Sequence, residues 1–299
     1  MNRFFSIVIP TYNRPASLEQ CLRALAALEY PRDRMEVVVV DDGGSCPLDK
    51  LVEGRAWGFP TRLIRQQNGG PASARNCGAQ EAAGDYLAFT DDDCCPAPGW
   101  LKALNLAMDL HGDSLLGGQI ENGLPNNPFA ATSQLLVDYL YHYFQSQHAP
   151  SSFFTSNNIA VQRSAFLALG GFDASYPLAA AEDRELCDAW KRQGGTLVYV
   201  PQALVLHRHR LSLRGFCGQN FRYGRGAARL HGGQRRGSAA GAEGIAFEPL
   251  SFYLGMFAFP FRRAPILRAA ESSGLLFLAQ VAHAVGYFAE RAVAVQGWS

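Results

Sequence analysis

The sequence predicts an α/β protein: an open, mostly parallel sheet flanked by helices, with a C-terminal helical extension. Three observations carry this reading. Apolar β-rich runs alternate with segments of helical periodicity through the first third of the chain. One of them, Glu36–Val40, is the unbroken valine stretch that a strand buried on both faces needs. Two runs end in carboxylates, Asp41-Asp42 and Asp91-Asp92-Asp93. In open α/β sheets ligands sit beyond the carboxyl ends of strands, so both clusters fall where a site belongs.

Taken in order, Phe4–Pro10 is the first strand and stops at a turn. Arg14–Leu28 is helical, with Leu18, Cys21, Leu22 and Leu25 on one face. The valine strand follows and closes in Asp41-Asp42-Gly43-Gly44, which is also good turn chemistry. A short third strand, Thr61–Arg65, leads through Gly69-Gly70-Pro71 into a helix over 72–83. Tyr86–Thr90 is the next strand and Pro98–His111 the next helix. Further on, Arg184–Gln193 is helical and Ala203–Leu206 extended. The aromatic stretch Phe129–Phe144, with Tyr139, Tyr141 and Tyr143, reads as a packed helix, with stacking on the faces of a ligand the other option. Asn157 and Asn158, just beyond it, are candidates to line a ligand pocket.

With 299 residues, 48% of them hydrophobic, the chain can bury one large core or two unequal ones. We place the main domain at 1–214 and a helical, arginine-rich region at 215–299. Seven cysteines, without a C-x-x-C pair, indicate neither a disulfide framework nor a zinc site, so a reducing compartment is expected. Met1-Asn-Arg-Phe-Phe enters a strand without the apolar stretch of a signal peptide, which points to the cytoplasm.

The net charge of +1 conceals an asymmetry. Residues 1–200 hold 15 Lys+Arg against 22 Asp+Glu, whereas residues 201–299 hold 12 arginines against 4 acids. These arginines border two apolar runs, Leu250–Phe261 and Gly274–Ala289. The longer run, interrupted by Gln280 and His283, falls short of the about 20 apolar residues of a membrane span. Two readings stay open: a surface lying peripherally against the inner face of an anionic membrane, or core helices with a solvated basic face. Dense basic clusters with interleaved aromatics are missing, which argues against nucleic acid.

Three carboxylates at a strand end repel one another unless a cation sits among them. Asp91 and Asp93, two apart on an extended segment, point the same way. Such a pair suits a hard divalent ion whose remaining positions go to water and substrate phosphate. Asp92 faces the other way.

Six segments then line up: Val8-Ile-Pro-Thr-Tyr-Asn-Arg14, Val38-Val-Val-Asp-Asp-Gly43, Gly70-Pro-Ala-Ser-Ala-Arg-Asn76, Thr90-Asp-Asp-Asp93, Gly170-Gly-Phe-Asp173 and Glu182-Asp-Arg-Glu-Leu186. Together they resemble the family 2 glycosyltransferases of GT-A fold. The resemblance implies inverting transfer of a sugar from a nucleoside diphosphate donor, with Mg²⁺ or Mn²⁺. It implies that Pro10, Thr11 and Tyr12 wrap the base and ribose, and that Asp41 or Asp42 accepts the imide N–H of a uracil, which favours a UDP-sugar. Gly69 and Gly70 would admit the nucleotide to the backbone, and Arg75 and Asp92 stand among the donor-binding residues. Asp91 would contact ribose or metal-bound water and Asp93 the metal, completed by His207 or alternatively His209. Asp183 would take the proton from the acceptor hydroxyl, supported by Glu182. Alone, this acid pair would equally suit a helix N-terminus.

Two departures stand out. Ala179-Ala180-Ala181 replaces the usual glycines before Glu182, which narrows the expected acceptor entrance. The Gln-x-x-Arg-Trp sequence of processive synthases is missing, so a single addition to a saccharide or lipid-linked acceptor is expected, in polysaccharide or glycolipid synthesis. A sugar nucleotidyltransferase would want a glycine-rich phosphate loop after the first strand, where Pro10-Thr-Tyr-Asn-Arg14 stands instead. A non-catalytic nucleotide-sugar-binding protein would bind donor without turnover.

Overall fold

The computed structural model describes residues 2–146, 153–176, 181–237 and 248–296. Its strands are β1 (Phe5–Thr11), β2 (Met35–Asp41), β3 (Thr61–Arg65), β4 (Tyr86–Phe89), β5 (Cys94–Pro96), β6 (Leu115–Asn122), β7 (Ile159–Gln162) and β8 (Leu197–His207). Helices α1 (Pro15–Ala26), α2 (Asp49–Val52), α3 (Gly70–Glu81), α4 (Trp100–His111), α5 (Pro128–Ser146), α6 (Arg163–Leu169), α7 (Glu182–Arg192), α8 (Leu213–Gly237), α9 (Leu250–Ala258) and α10 (Ile266–Gln296) complete it. The strands form one mixed sheet in the order β3-β2-β1-β4-β7-β6-β8-β5. The first four run parallel, while β7 is antiparallel to both its neighbours and β5 antiparallel to β8. The helices and parallel strands expected from sequence are present with ends shifted by one or two residues, whereas β8 begins at Leu197, well before the expected Ala203–Leu206. Strands β5, β6 and β7 were not expected, because their pairing depends on distant segments.

Strands β1 and β2 are buried along their whole length, and alternation sends their side chains to two layers. Phe5, Ile7 and Ile9 with Val37 and Val39 face Leu18, Leu22 and Leu25 of α1 and Trp100, Leu104 and Met108 of α4. Val38 and Val40 face Ala74 of α3 on the other side. There Gly78 lets α3 approach: a Cβ at this position would lie 2.4 Å from Val8. The chain leaves β1 outward to β2 and β3, then returns to place β4 on the opposite side of β1. The resulting switch point lies between β1 and β4, at the strand ends carrying the acids.

The chain groups into two units, Met1–Gly123 with Pro150–Leu178 and Glu182–His209, and Leu124–Ala149 with Ala179–Ala181 and Arg210–Ser299. Helix α5 therefore belongs with the C-terminal helices rather than with the main sequence domain. Of its aromatic residues, Tyr139 is buried against Phe252 and Phe259, and its hydroxyl donates to the Phe252 carbonyl at 2.6 Å, while Tyr141 and Tyr143 are half-buried. In the same unit α8 and α10 cross at glycines. A Cβ on Gly224 would lie 1.9 Å from the His283 carbonyl oxygen, and one on Gly286 would lie 2.0 Å from that of Phe221. Helix α10 runs through Gln280 and His283 without a break, so Ile266–Val293 is long and apolar enough to cross a membrane by length and composition, contrary to the expectation from the shorter run.

Because the glycine crossing meets backbone, which cannot swing aside, Gly286→Ala is expected to cost about 1–3 kcal/mol. Thermal unfolding of the variant would measure it.

Candidate active site

The register of the sheet assembles the site. Thr11 pairs with Asp41 across β1 and β2. Val8 pairs with Phe89 across β1 and β4, so three residues on, Asp92 comes level with Thr11. The Thr11 hydroxyl donates to Asp92 Oδ2 at 2.7 Å. Antiparallel pairing of β5 with β8 sets Cys94 opposite His207 and brings His207 Nε2 to 3.3 Å from Asp93 Oδ1. His209, two residues on, contacts the His207 ring at 5.2 Å between centroids.

Cations thread the acids together. Arg75, buried on α3, donates to Asp91 Oδ1 at 2.6 Å and to Glu182 Oε1 at 3.3 Å, with its guanidinium 5.5 Å from the Phe172 ring centroid. Arg14, half-exposed, meets Asp92 Oδ1 at 2.8 Å and Asp93 Oδ2 at 2.9 Å. Burial opposes the charge on both guanidinium groups, yet the neighbouring carboxylates hold them above their ordinary range. Burial pushes Asp92 up to about 7. Asp93 is buried too, but the hydrogen bond and charge of His207, with Arg14, hold it below the usual carboxylate range. His207 rises correspondingly, since Asp93 outweighs its desolvation, whereas burial lowers His209.

Asp41 and Asp42 separate in role. Asp42 accepts from the backbone N–H of Gly69 and Gly70, both at 2.9 Å, and from Gln66 Nε2 at 2.7 Å. It thereby caps α3 and aims that helix, and Arg75 with it, at the site. Gly70 turns into the helix at φ +84°, a left-handed conformation that glycine adopts without strain. Asp41 accepts from Gly44 N at 2.9 Å and keeps Oδ2 4.0 Å from Arg65. Of the first loop, Pro10 and Thr11 are buried in β1 and only Tyr12 is exposed.

Glu182 and Asp183 open α7. Asp183 is partly buried, and Arg184 N donates to its Oδ1 at 2.8 Å; desolvation raises its carboxyl above the ordinary value. Ala181, immediately before, takes φ +72°, a conformation costing a non-glycine residue about 1–2 kcal/mol. Ala179 and Ala180 lie outside the described residues. Asn157 and Asn158 do not line a pocket. Asn158 is buried, donating to the Gln119 and Ala203 carbonyls and accepting from Trp100 Nε1, so it ties β6, β8 and α4 together. Asn157 is buried against Cys94 Sγ.

A carboxylate oxygen of Asp93, a ring nitrogen of His207 and Cys94 Sγ all lie within 4.8 Å of one another. Burial raises the Cys94 thiol well above its ordinary range. A carboxylate facing an imidazole is a donor set that a divalent ion fits.

The glycosyl transferase family 2 model matches residues 6–170, more than half of the chain. The chain belongs to glycosyl transferase family 2. It is 29% identical to the succinoglycan biosynthesis protein ExoM of Rhizobium meliloti over 92% of this chain and 94% of that one. It spans less than half the length of two other curated relatives, 43% and 48%. Among solved structures, the mannosyltransferase PcManGT from Pyrobaculum calidifontis, in complex with GDP-Man and Mn²⁺, superposes with a TM-score of 0.58 at 19% identity. That match covers 99% of this chain and 80% of the other. TarS 1–349 of S. aureus, in complex with UDP-GlcNAc, gives 0.55 at 18% identity, covering 98% and 92%. The likeness to these structures gives this family member the same α/β GT-A fold.

Within that family frame, sequence reasoning left Arg14, Gln66 and Phe172 without roles. Arg14 and Phe172 stand inside the quoted segments, but their partners lie 79 and 97 residues away. Breaking a buried ion pair costs several kcal/mol, so Arg75→Met should lose about 3 kcal/mol of stability. Urea unfolding without ligand would read this, and an unchanged midpoint would contradict it.

Proposed function

We propose that this glycosyltransferase is metal-dependent and inverting, and that it moves a sugar from a nucleoside diphosphate to an acceptor hydroxyl. One observation carries the reading: Arg75 bridges Asp91 of the strand-end triplet to Glu182 of the α7 acid pair. Groups suited to stabilising a leaving diphosphate and to accepting a proton therefore belong to one connected site.

Asp93 and His207 would hold the ion, with Asp91 beside them. A divalent ion there supplies stabilisation of charge on the departing diphosphate. An imidazole ligand favours Mn²⁺ over Mg²⁺. Asp183 takes the proton of the acceptor hydroxyl as its oxygen bonds to the anomeric carbon. The bond to the diphosphate breaks on the opposite face, and configuration inverts. The raised carboxyl of Asp183 makes it a stronger base than a free aspartate. Glu182 is fixed by Arg75 and keeps the start of α7 in place.

The donor in this reading is a UDP-sugar. Asp41 would accept the imide N–H of uracil, and the exposed ring of Tyr12 offers a face for the base. Neighbours with UDP-GlcNAc and with GDP-Man support a nucleotide sugar without choosing its base. The acceptor is a saccharide or lipid-linked saccharide in cell-surface polysaccharide synthesis at the cytoplasmic side, a reading supported by the near full-length likeness to ExoM.

A thermal-shift screen of nucleotide sugars with Mn²⁺ should single out the donor by its stabilisation. Asp93→Asn is expected to abolish both Mn²⁺ binding, followed by electron paramagnetic resonance, and transfer; full transfer in this variant would remove the metal role. Asp183→Asn should lower kcat by about 10²–10⁴-fold while donor affinity stays unchanged. Activity of the parent enzyme should fall with decreasing pH as Asp183 gains its proton, with the acid limb above the ordinary aspartate range. A limb at the ordinary position would reject Asp183 as the base.

A further inference from the structure

We infer that the outward face of α10 docks on the surface of an anionic bilayer, lying in the interface without crossing it. The face is a stripe. Leu267, Gly274, Phe277, Val281, Val285 and Phe288 are all exposed and recur at helical spacing, within an arc of about 80° and over about 32 Å. Phe277 is 62% exposed and Val285 56%, unusual for such side chains on a helix otherwise packed. The opposite face packs on α8: Ala279, Gly286 and Tyr287 are buried. Helix α9 continues the surface with exposed Leu250 and Leu254, and its Phe257 ring stands 6.4 Å from that of Phe277.

Charge selects the occupant. Arg262 and Arg268, both exposed, stand where α9 gives way to α10, beside Arg263, which lies 3.8 Å from Asp138 and over the Phe259 ring. Residues 201–299 hold 12 arginines and 4 acids, and one of those acids, Glu290, already pairs with Arg225 and Arg229. A second copy packed through this same face would bring the same exposed arginines, with Glu271 the exposed acid on α10, whereas anionic headgroups supply negative charge along the whole face. An amphipathic helix with a basic border is the form that binds such a surface.

Crossing the bilayer is disfavoured by the inner face. Gly286 sits against the Phe221 carbonyl, and Glu290 is tied to Arg225 and Arg229 of α8. To span, α10 would have to shed α8 or draw its arginines into hydrocarbon, both at heavy cost.

Flotation of the full chain with phosphatidylcholine vesicles, with and without phosphatidylglycerol, tests this. No donor or metal is added, so the outcome is independent of the catalytic reading. The parent protein should float with anionic vesicles and be released by carbonate. Phe277→Asp with Val285→Asp should lower the bound fraction about tenfold or more. Arg262→Glu with Arg268→Glu should do so only for anionic vesicles. Both pairs are exposed, and an unchanged thermal-unfolding midpoint would show intact folding. Failure of the parent to float, flotation of the variants like the parent, or carbonate-resistant association would each overturn the inference. So would a dimer in sedimentation that the aspartate pair abolishes without any vesicle binding.

Discussion

Everything in the candidate site depends on how like charges are held together at the ends of β1, β2 and β4. Two unit charges 4 Å apart interact by about 4 kcal/mol near a protein surface, so an uncompensated acid triplet would not persist. Arg14 meets Asp92 and Asp93, Arg75 meets Asp91 and Glu182, and His207 meets Asp93. Each cation touches acids from distant parts of the chain. The same contacts that relieve repulsion therefore also draw α7 and β8 toward the switch point of the sheet.

Helix α3 translates backbone geometry into site geometry. Its first amides are capped by Asp42, and its middle lies close on β1 and β2 because Gly78 has no side chain. On that helix Arg75 meets Asp91 and Glu182. Asp42 thus supports the site from within the fold, while Asp41 is buried at the end of β2 and the Tyr12 ring is exposed. Among the described residues, Ala181, just ahead of the acid pair, and Asn13 are the non-glycine positions in the left-handed region, and alanine is the less suited of the two to it.

The C-terminal helices follow a different logic. Helices α8 and α10 approach through glycines, and an acid on one answers two arginines on the other. That inner packing consumes one side of α10 and leaves an apolar stripe outward. Conversely, α5 buries Tyr139, one of the aromatic residues for which stacking on a ligand was the alternative reading, and its hydroxyl is hydrogen-bonded inside its own unit. Exposure, not composition, separates these two cases.

By itself the sequence determined the α/β class, the parallel strands with their helices, and the carboxylates at the ends of β2 and β4. These signals are local: unbroken valines, helical periodicity and acids placed where an apolar run stops. Tertiary structure alone decided that His207 rather than His209 meets Asp93, that Asp42 caps a helix, and that Asn158 is a buried brace. Each of those outcomes hangs on a partner brought near by strand pairing or helix packing, and no spacing along the chain records which partner that is.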